Sequence, residues 1–330
     1  MNIMVYDVQA DSGGAATVLE YFYNIHKKDL DNHYYYILSV YHLEETDNIT
    51  VVNVPYVKNS WLHRLWFDFI GVREYVKKFG IEEVLSLQNT MVPNFDGFQT
   101  LYEHNALPFS EYNFSFFENK KMWVYQNIIG KFMISSIKKV DKVIVQTEWM
   151  KQAICKKANI SEYKVEVDFP KVDIPDRFHY AKQDHTMFFY PANSAPFKNH
   201  KVIIKACREL KKKGIENYSV VFTLLGKETA EIEALYQVTQ RENLPIHWIG
   251  PITREEVFEY YSKSTLIFPS FIETVGLPII EAGMVGCPIL LSNCNYSKEF
   301  TKHFSKTNTF DYNNHKELAR LMCQNIGDTK

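Results

Sequence analysis

Two glutamates eight positions apart, Glu273 and Glu281, enclose a Gly-Leu-Pro segment that follows a run of apolar residues. Proline is favoured in the first turn of a helix, so Pro278 predicts a helix start. Residues 274–277 then lie at a helix N-terminus, where backbone N–H groups and the positive dipole end favour a phosphate. A carboxylate can accept both hydroxyls of a ribose, as we expect for Glu281, while Glu273 can meet a sugar hydroxyl. The predicted anion-binding residues are Thr274, Val275, Gly276 and Leu277.

The residues around this site form the pattern Phe-x-Glu-x-x-Gly-Leu-Pro-x-x-Glu-Ala-x-x-x-Gly-x-Pro, from Phe271 to Pro288. This pattern resembles the donor-binding motif of retaining glycosyltransferases of family 4, the glycosyl transferases group 1 domain. The resemblance implies an α/β fold of the GT-B type, in which two doubly wound Rossmann-like domains face each other across a cleft. It also implies that Glu273 contacts the donor sugar and that Glu281 contacts the nucleotide ribose. Taken alone, the two glutamates could equally be a helix-dipole partner and a solvated loop acid.

A second segment, residues 190–200, closes a predicted strand, opens a helix and resembles the family's phosphate-binding lysine loop. Its Lys198 is a mobile point charge suited to a diphosphate leaving group, and we expect a catalytic and donor-binding role for it. Asn193 is a further donor-binding candidate. Many family members carry an arginine where this chain has Ala192, so part of the expected phosphate neutralisation has no source here. The alternative for Lys198 is an ordinary surface lysine near a helix start.

In the first half of the chain, the candidate binding and catalytic residues include two glycines and a histidine. Gly13 and Gly14 lie between the first strand and an apolar helix, so they could let the backbone approach a ligand, or simply form a tight turn. The family places its corresponding loop near the donor phosphate and the acceptor. His104 begins a His-x-x-Leu-Pro-Phe segment similar to bacterial surface-polysaccharide members, which implies a catalytic neutral imidazole rather than a structural histidine. The acceptor-side candidates are Gln88, Asn89 and Thr90, which could instead be helix caps.

Both halves of the chain alternate β-rich apolar runs with amphipathic segments of helix length, which predicts parallel sheets covered by helices. The predicted strands are residues 3–6, 34–40, 83–87, 100–103 and 143–146, then 187–190, 220–225, 246–249, 266–269 and 288–291. Helices are expected over residues 61–79 and 119–139, and from Asn199, Thr229, Arg254 and Pro278. We predict an acceptor-binding domain at 1–168, a linker at 169–185 containing two prolines, and a donor-binding domain at 186–330.

Composition limits the partners. The 330 residues are 46% hydrophobic and 23% charged with a net charge of −2, which suits two globular domains and argues against nucleic acid. Five scattered cysteines predict neither disulfides nor zinc, and we expect no metal and no cofactor. Residues 119–157 hold nine lysines against two acids, which predicts either contact with an anionic membrane or a solvated helix face. The first residues do not resemble a secretion signal, so we expect a cytoplasmic protein, peripheral on the inner face of the plasma membrane.

The resemblance implies a retaining, metal-independent hexosyltransferase. It would move a hexose-type sugar from a nucleotide diphosphate sugar to a glycan or lipid-linked saccharide acceptor, in synthesis of a surface polysaccharide such as O-antigen or capsule. Two alternatives remain open at this point. One is a sugar-nucleotide epimerase of the same GT-B architecture, and the other is a non-catalytic GT-B partner protein. The nucleotide base, the sugar and the acceptor are not predicted.

Overall fold

A computed structural model of the chain describes residues 1–11, 13–170, 172, 174–181 and 186–327. It divides into two compact units, Met1–Phe169 and Pro170–Lys330, and each contains one parallel sheet. The predicted linker, residues 169–185, lies partly outside the described residues, at 171, 173 and 182–185.

The first unit is a seven-stranded parallel sheet in the order β3-β2-β1-β4-β5-β6-β7. Its strands are β1 (Asn2–Asp7), β2 (His33–Leu38), β3 (Ile49–Asn53), β4 (Glu83–Ser86), β5 (Phe98–Glu103), β6 (Lys142–Val145) and β7 (Val165–Val167). Its α-helices are α1 (Gly13–His26), α2 (Trp61–Trp66), α3 (Val72–Phe79), α4 (Lys120–Val124), α5 (Gly130–Lys139) and α6 (Glu148–Ala158). Two π-helical turns, Phe67–Gly71 and Tyr125–Ile129, join α2 to α3 and α4 to α5. Short 3₁₀ segments are Pro55–Lys58, Leu107–Phe109 and Glu162–Lys164.

The second unit is a six-stranded parallel sheet in the order β10-β9-β8-β11-β12-β13. Its strands are β8 (Met187–Tyr190), β9 (Ser219–Phe222), β10 (Ile246–Trp248), β11 (Thr265–Phe268), β12 (Ile289–Ser292) and β13 (Thr307–Phe310). Its α-helices are α7 (His200–Lys212), α8 (Ala230–Arg241), α9 (Arg254–Lys263), α10 (Leu277–Val285) and α11 (His315–Gly327). Pro196–Lys198 and Tyr296–Glu299 are 3₁₀ segments.

The predicted fold class is confirmed, and the composition of the strands explains why. Every residue of β11 and β12 is buried, as expected for central parallel strands that are covered on both faces. In the first unit, apolar residues cover both faces of the sheet. One cluster joins α1, through Leu19 and Phe22, to strand residues such as Tyr36, and the other joins Phe67 and Val72 to the opposite face.

All ten predicted strands are present, but three strands were missed: β3, β7 and β13. Each of them lies at the edge of its sheet. An edge strand is covered less completely than a central one, so its sequence need not be a continuous apolar run. The sequences of the three, ITVVN, VEV and TNTF, mix polar with apolar residues. The predicted helices at 61–79 and 119–139 were right in extent, but each is interrupted by a π-helical turn.

In both sheets the strand order reverses at one point, and in doubly wound folds ligands bind beside such a point. The order reverses between β1 and β4 in the first sheet and between β8 and β11 in the second. Loops that leave the carboxyl ends of such strands lie at the switch point, and this is the usual binding position. The predicted site residues follow β1, β4, β5, β8 and β11. Among the described residues, no helix is both long and apolar enough to cross a lipid bilayer.

Candidate active site

Lys198 and Glu273 form an ion pair at the switch point of the second sheet. Strands β8 and β11 are hydrogen-bonded neighbours, so the loops that follow them lie side by side. Lys198 Nζ is 2.5 Å from Glu273 Oε1, and the two side chains are only 15% and 12% exposed. The structure therefore brings together the two residues that the sequence placed on the leaving phosphate and on the sugar.

Backbone hydrogen bonds hold these two loops against each other. The carbonyl oxygen of Phe197 accepts from the backbone N–H of Phe271 at 3.0 Å and from the hydroxyl of Ser270 at 3.1 Å. The buried hydroxyl of Tyr190 donates to the carbonyl of Lys198 at 2.7 Å. Because the chain on both sides of Lys198 is tied down, its position is set by the fold before any ligand arrives.

The N-terminus of α10 begins next to Glu273 in the chain. Gly276 caps this helix in the left-handed region, with φ of 76°, and Pro278 lies in its first turn. A Cβ added at Gly276 would lie 2.8 Å from Ile279 Cδ1, so only glycine fits here without a shift. The helix start that the sequence predicted at residues 274–278 is present, and its positive end could hold a phosphate beside Lys198.

Glu281 lies further along α10 and is buried. One carboxylate oxygen is 3.0 Å from Arg254 Nη2, and the other accepts a hydrogen bond of 3.3 Å from the hydroxyl of Tyr261. Burial raises the pKa of Glu281, while the Arg254 guanidinium and the Tyr261 hydrogen bond oppose that rise. The carboxylate is therefore held in a fixed orientation as an acceptor.

Arg254 and Tyr261 are site residues that the sequence analysis missed. They lie on α9, which packs against α10 only through the tertiary fold. The local pattern around Arg254 indicates a helix start, since Thr253 and Glu256 form a capping box there. Nothing in that pattern connects this helix with Glu281, so no local signal could have found the contact.

Two other predicted donor-site side chains have structural roles. Val275 is buried, so only its backbone could meet a ligand. The side-chain oxygen of Asn193 accepts from the backbone N–H of Ala195 at 3.1 Å and shapes the loop before Lys198. Both residues lie in the loops that the sequence predicted, but the sequence could not set the direction of their side chains.

In the first unit, the structure brings His104 and Asn89 together. The side-chain oxygen of Asn89 accepts from the backbone N–H of His104 at 2.8 Å, which joins the loops after β4 and β5. Burial lowers the pKa of His104 to about 4. The imidazole is therefore neutral at the pH of a cell, as the proposed catalytic role requires.

Gln88 is part of a buried polar network. Arg64 Nη2 donates to Gln88 Oε1 at 2.8 Å, and Arg64 Nε donates to Asp68 at 2.7 Å. Asp68 also accepts a hydrogen bond from Tyr6. These contacts bind α2 and its π-helical turn to the switch point of the sheet. Nearby, the backbone carbonyl of Thr90 accepts from the Ser86 hydroxyl at 2.6 Å.

The predicted glycine loop lies at the start of α1. Gly13 has φ of 64°, and a Cβ built on Gly13 or Gly14 meets nothing within 4 Å. Open space beside the backbone is what close approach of a ligand requires. Ser12, which precedes these glycines, lies outside the described residues.

Asp7, at the end of β1, should make the stability of the first unit depend on pH. One of its oxygens accepts from the backbone N–H groups of Gln9 and Ala10 at 3.1 and 3.0 Å, and burial raises its pKa to about 6. A raised pKa means that the fold holds a proton that the unfolded chain releases, so stability is lost as pH rises from about 4 to above 6. The loss is about 3 kcal/mol. We expect Asp7→Asn to remove this pH-dependent loss from the free energy of unfolding, measured in urea between pH 4 and 8. If the free energy of unfolding of Asp7→Asn kept the same pH dependence, the assignment to Asp7 would be wrong.

Comparisons with known proteins agree with this geometry. Residues 174–329 match the model of a family described as glycosyl transferases group 1. The O-antigen chain mannosyltransferase RfbU of Salmonella typhimurium is 26% identical over 255 residues, which cover 74% of this chain and 67% of RfbU. The structure of Anabaena Alr3699/HepE in complex with UDP-glucose is 14% identical, with a TM-score of 0.69 over 100% of this chain and 90% of that one. The structure of TarM is 16% identical with a TM-score of 0.58, and the aligned part covers 78% of this chain but only about half, 51%, of TarM.

The two doubly wound sheets, with candidate ligand residues at their switch points, have the GT-B fold. The family match covers the unit that holds Lys198, Glu273 and Glu281. The second unit therefore resembles the glycosyl transferases group 1 family, whose model it matches over residues 174–329.

Proposed function

We propose that the chain is a retaining hexosyltransferase that uses a nucleotide diphosphate sugar as donor and a glycan or lipid-linked saccharide as acceptor. The ion pair of Lys198 and Glu273 beside the N-terminus of α10 is the observation that carries the proposal. In the bound complex, Glu281 holds the ribose, and Lys198 with the first turn of α10 holds the diphosphate. Glu273 meets a hydroxyl of the sugar.

Stabilisation of the leaving group is the main catalytic effect in this proposal. As the bond between the anomeric carbon and the phosphate oxygen breaks, negative charge grows on the diphosphate. The ammonium of Lys198, already fixed by its loop, meets that charge. The acceptor oxygen bonds to the anomeric carbon on the same face of the sugar, and its proton passes to the departing phosphate oxygen. We also propose a catalytic role for His104 in the first unit, whose imidazole is neutral above about pH 4.

We propose that the reaction needs no metal ion, because Lys198 and the N-terminus of α10 supply positive charge to the diphosphate. No group of His, Cys, Asp and Glu suited to holding a metal occurs within the described part of the chain. Activity that persists in excess EDTA is the expected result. Loss of activity in EDTA, with recovery on addition of Mg²⁺ or Mn²⁺, would contradict this part of the proposal.

The acceptor belongs to a bacterial surface polysaccharide of the O-antigen or capsule type in this proposal. The support is the 26% identity to a protein named as an O-antigen chain mannosyltransferase. The structure of the same fold that holds UDP-glucose supports a nucleotide diphosphate sugar as donor. Gln88, Asn89 and Thr90 lie on the acceptor side, although the side chain of Gln88 is already bonded to Arg64.

Release of nucleotide diphosphate from UDP-, GDP- and dTDP-sugars tests the proposal. We expect one class of donor to react, and Glu281→Ala to lower kcat/KM for that donor at least about tenfold through lost ribose contacts. Glu255→Ala, on the exposed surface of α9, is the matched control and should be unaffected. If the donor were converted to an isomer in the absence of any acceptor, the chain would be a sugar-nucleotide epimerase. If it neither turned over nor bound any nucleotide, it would be a non-catalytic partner protein.

We also propose that the protein is cytoplasmic and contacts the inner face of the plasma membrane through residues 119–157. The nine lysines of this segment are accompanied by exposed Ile128 and Phe132. Each lysine near an anionic surface contributes about 1 kcal/mol, and that attraction is screened by salt. Vesicle binding that falls as salt is raised is the expected result.

A further inference from the structure

Six large apolar side chains lie exposed on one helical segment of the first unit. They belong to α2 and to the π-helical turn that follows it, and their exposed fractions run from 46% to 78%. The six residues are Trp61, Leu62, Leu65, Trp66, Phe69 and Ile70. We call this set the 61–70 face. Scattered apolar residues on a surface need no explanation, but six on ten consecutive positions form a patch, and such patches mark interaction sites.

The π-helical turn keeps these residues on one side of the segment. They recur at intervals of four, and in an α-helix each step of four advances about 40° around the axis. A π-helical turn contains more residues per turn, so it offsets that drift. Gly71 closes the turn, and a Cβ there would lie 2.8 Å from the ring of Phe67 and 2.9 Å from the ring of Trp66. Glycine therefore lets Trp66 lie close against the helix.

The opposite side of the same segment is firmly anchored. Phe67 is fully buried in the core beneath it. Arg64 and Asp68 form an ion pair at 2.7 Å and join the network with Gln88 described above. The 61–70 face is therefore presented by a packed helix in a fixed orientation rather than by a loose segment.

Basic residues follow the 61–70 face along the chain and lie on the same side of the sheet. The helix α3 continues the segment with Arg73, Lys77 and Lys78 against one acid, Glu74. The crossovers from β3 to β4 and from β5 to β6 run in the same direction across the sheet, and right-handed crossovers of one direction lie on one side. The lysine-rich helices α4 and α5 thus cover the same side of the sheet as α2 and α3.

We propose that the 61–70 face inserts into the interfacial region of an anionic lipid bilayer. Tryptophan, leucine and phenylalanine on one face, with lysine and arginine beside them, are typical of helices that lie in the membrane interface. In this division of roles the 61–70 face supplies insertion, and the lysines of residues 119–157 supply charge attraction. The inference is independent of glycosyl transfer, because membrane binding is measured without donor or acceptor.

Sedimentation of the full chain with vesicles tests the proposal through a matched pair of variants. Leu62 and Leu30 are 78% and 77% exposed, and both belong to the first unit, but only Leu62 is part of the 61–70 face. With vesicles of phosphatidylglycerol and phosphatidylcholine, we expect Leu62→Glu to lower the partition coefficient at least about tenfold, and Leu30→Glu to change it less than about twofold. Because both leucines are exposed, both variants should keep the native circular dichroism and melting temperature.

Tryptophan fluorescence gives an independent readout of depth. Lipids brominated in the acyl chain should quench the native protein, and the quenching should be lost in Trp61→Phe/Trp66→Phe, which keeps the other three tryptophans. Equal partitioning of the native chain and Leu62→Glu would overturn the proposal. So would a dimer formed without lipid that Leu62→Glu dissociates, because the 61–70 face would then belong to a second copy. Binding lost only when Lys120, Lys121 and Lys131 are replaced would assign the contact to residues 119–157 alone.

Discussion

We expect Lys198→Met to lower kcat/KM for release of nucleotide diphosphate by about 100- to 1,000-fold, the usual loss when one preorganised group is removed from a developing charge. The ammonium lies 2.5 Å from Glu273 in a loop that is hydrogen-bonded on both sides, so its position needs no adjustment during the reaction. Methionine keeps the length and apolar contacts of the side chain and removes only the charge. The measurement is release of nucleotide diphosphate from the reactive donor, compared with Lys201→Met, an exposed lysine three positions further on.

The same substitution should also destabilise the second unit. Glu273 is 12% exposed, so Lys198→Met leaves a shielded carboxylate without its ion-pair partner. Breaking a buried pair from one side costs about 3 to 5 kcal/mol, whereas replacing both charges is often neutral. We therefore expect Lys198→Met/Glu273→Gln to recover most of the free energy of unfolding in urea but none of the activity. A double variant that regains both would show that Lys198 acts through stability and not on the diphosphate.

The main features of the site could be predicted because they follow the order of the strands. A residue directly after a strand of a parallel sheet lies at its carboxyl edge, and neighbouring strands bring their loops together. Lys198 and Glu273 lie together for this reason. Asn89 and His104 likewise lie in the loops of two neighbouring strands, β4 and β5.

What could not be predicted depends on packing between distant elements. Arg254 reaches Glu281 only because α9 and α10 pack together, and helix periodicity does not specify which helices become neighbours. The direction of a loop side chain is equally hidden, as the buried Val275 shows. The exposure of the 61–70 face could not be predicted either. Helical spacing of apolar residues predicts a helix over 61–79 but does not say which of them are covered, and Trp61 and Leu62 are exposed.

Gly276→Ala is the second change with a large expected effect, because the backbone at the start of α10 requires glycine. Its φ of 76° costs an L-residue about 1 to 2 kcal/mol, and the added methyl would lie 2.8 Å from the fully buried Ile279 side chain. The terminal methyl of Ile279 can rotate away from that contact, but the strained φ remains, and the first turn of α10 must shift to relieve it. A shift of about 1 Å in groups that position a substrate lowers the rate about 100-fold. We expect Gly276→Ala to reduce kcat/KM at least to that extent, and to weaken nucleotide binding measured by calorimetry.

The other end of α10 provides the control. Gly286 has φ of 84°, so alanine there should bear the same backbone strain, but its methyl would meet Tyr180 Cβ at an ordinary 3.7 Å. Gly286→Ala should therefore lower the melting temperature while leaving nucleotide binding within about twofold, because the positive end of the helix is undisturbed. If both variants lost nucleotide binding equally, general loss of helix stability would account for the result. A loss confined to Gly276→Ala instead places the diphosphate at the first turn of α10, where the backbone and Lys198 can act on the same leaving group.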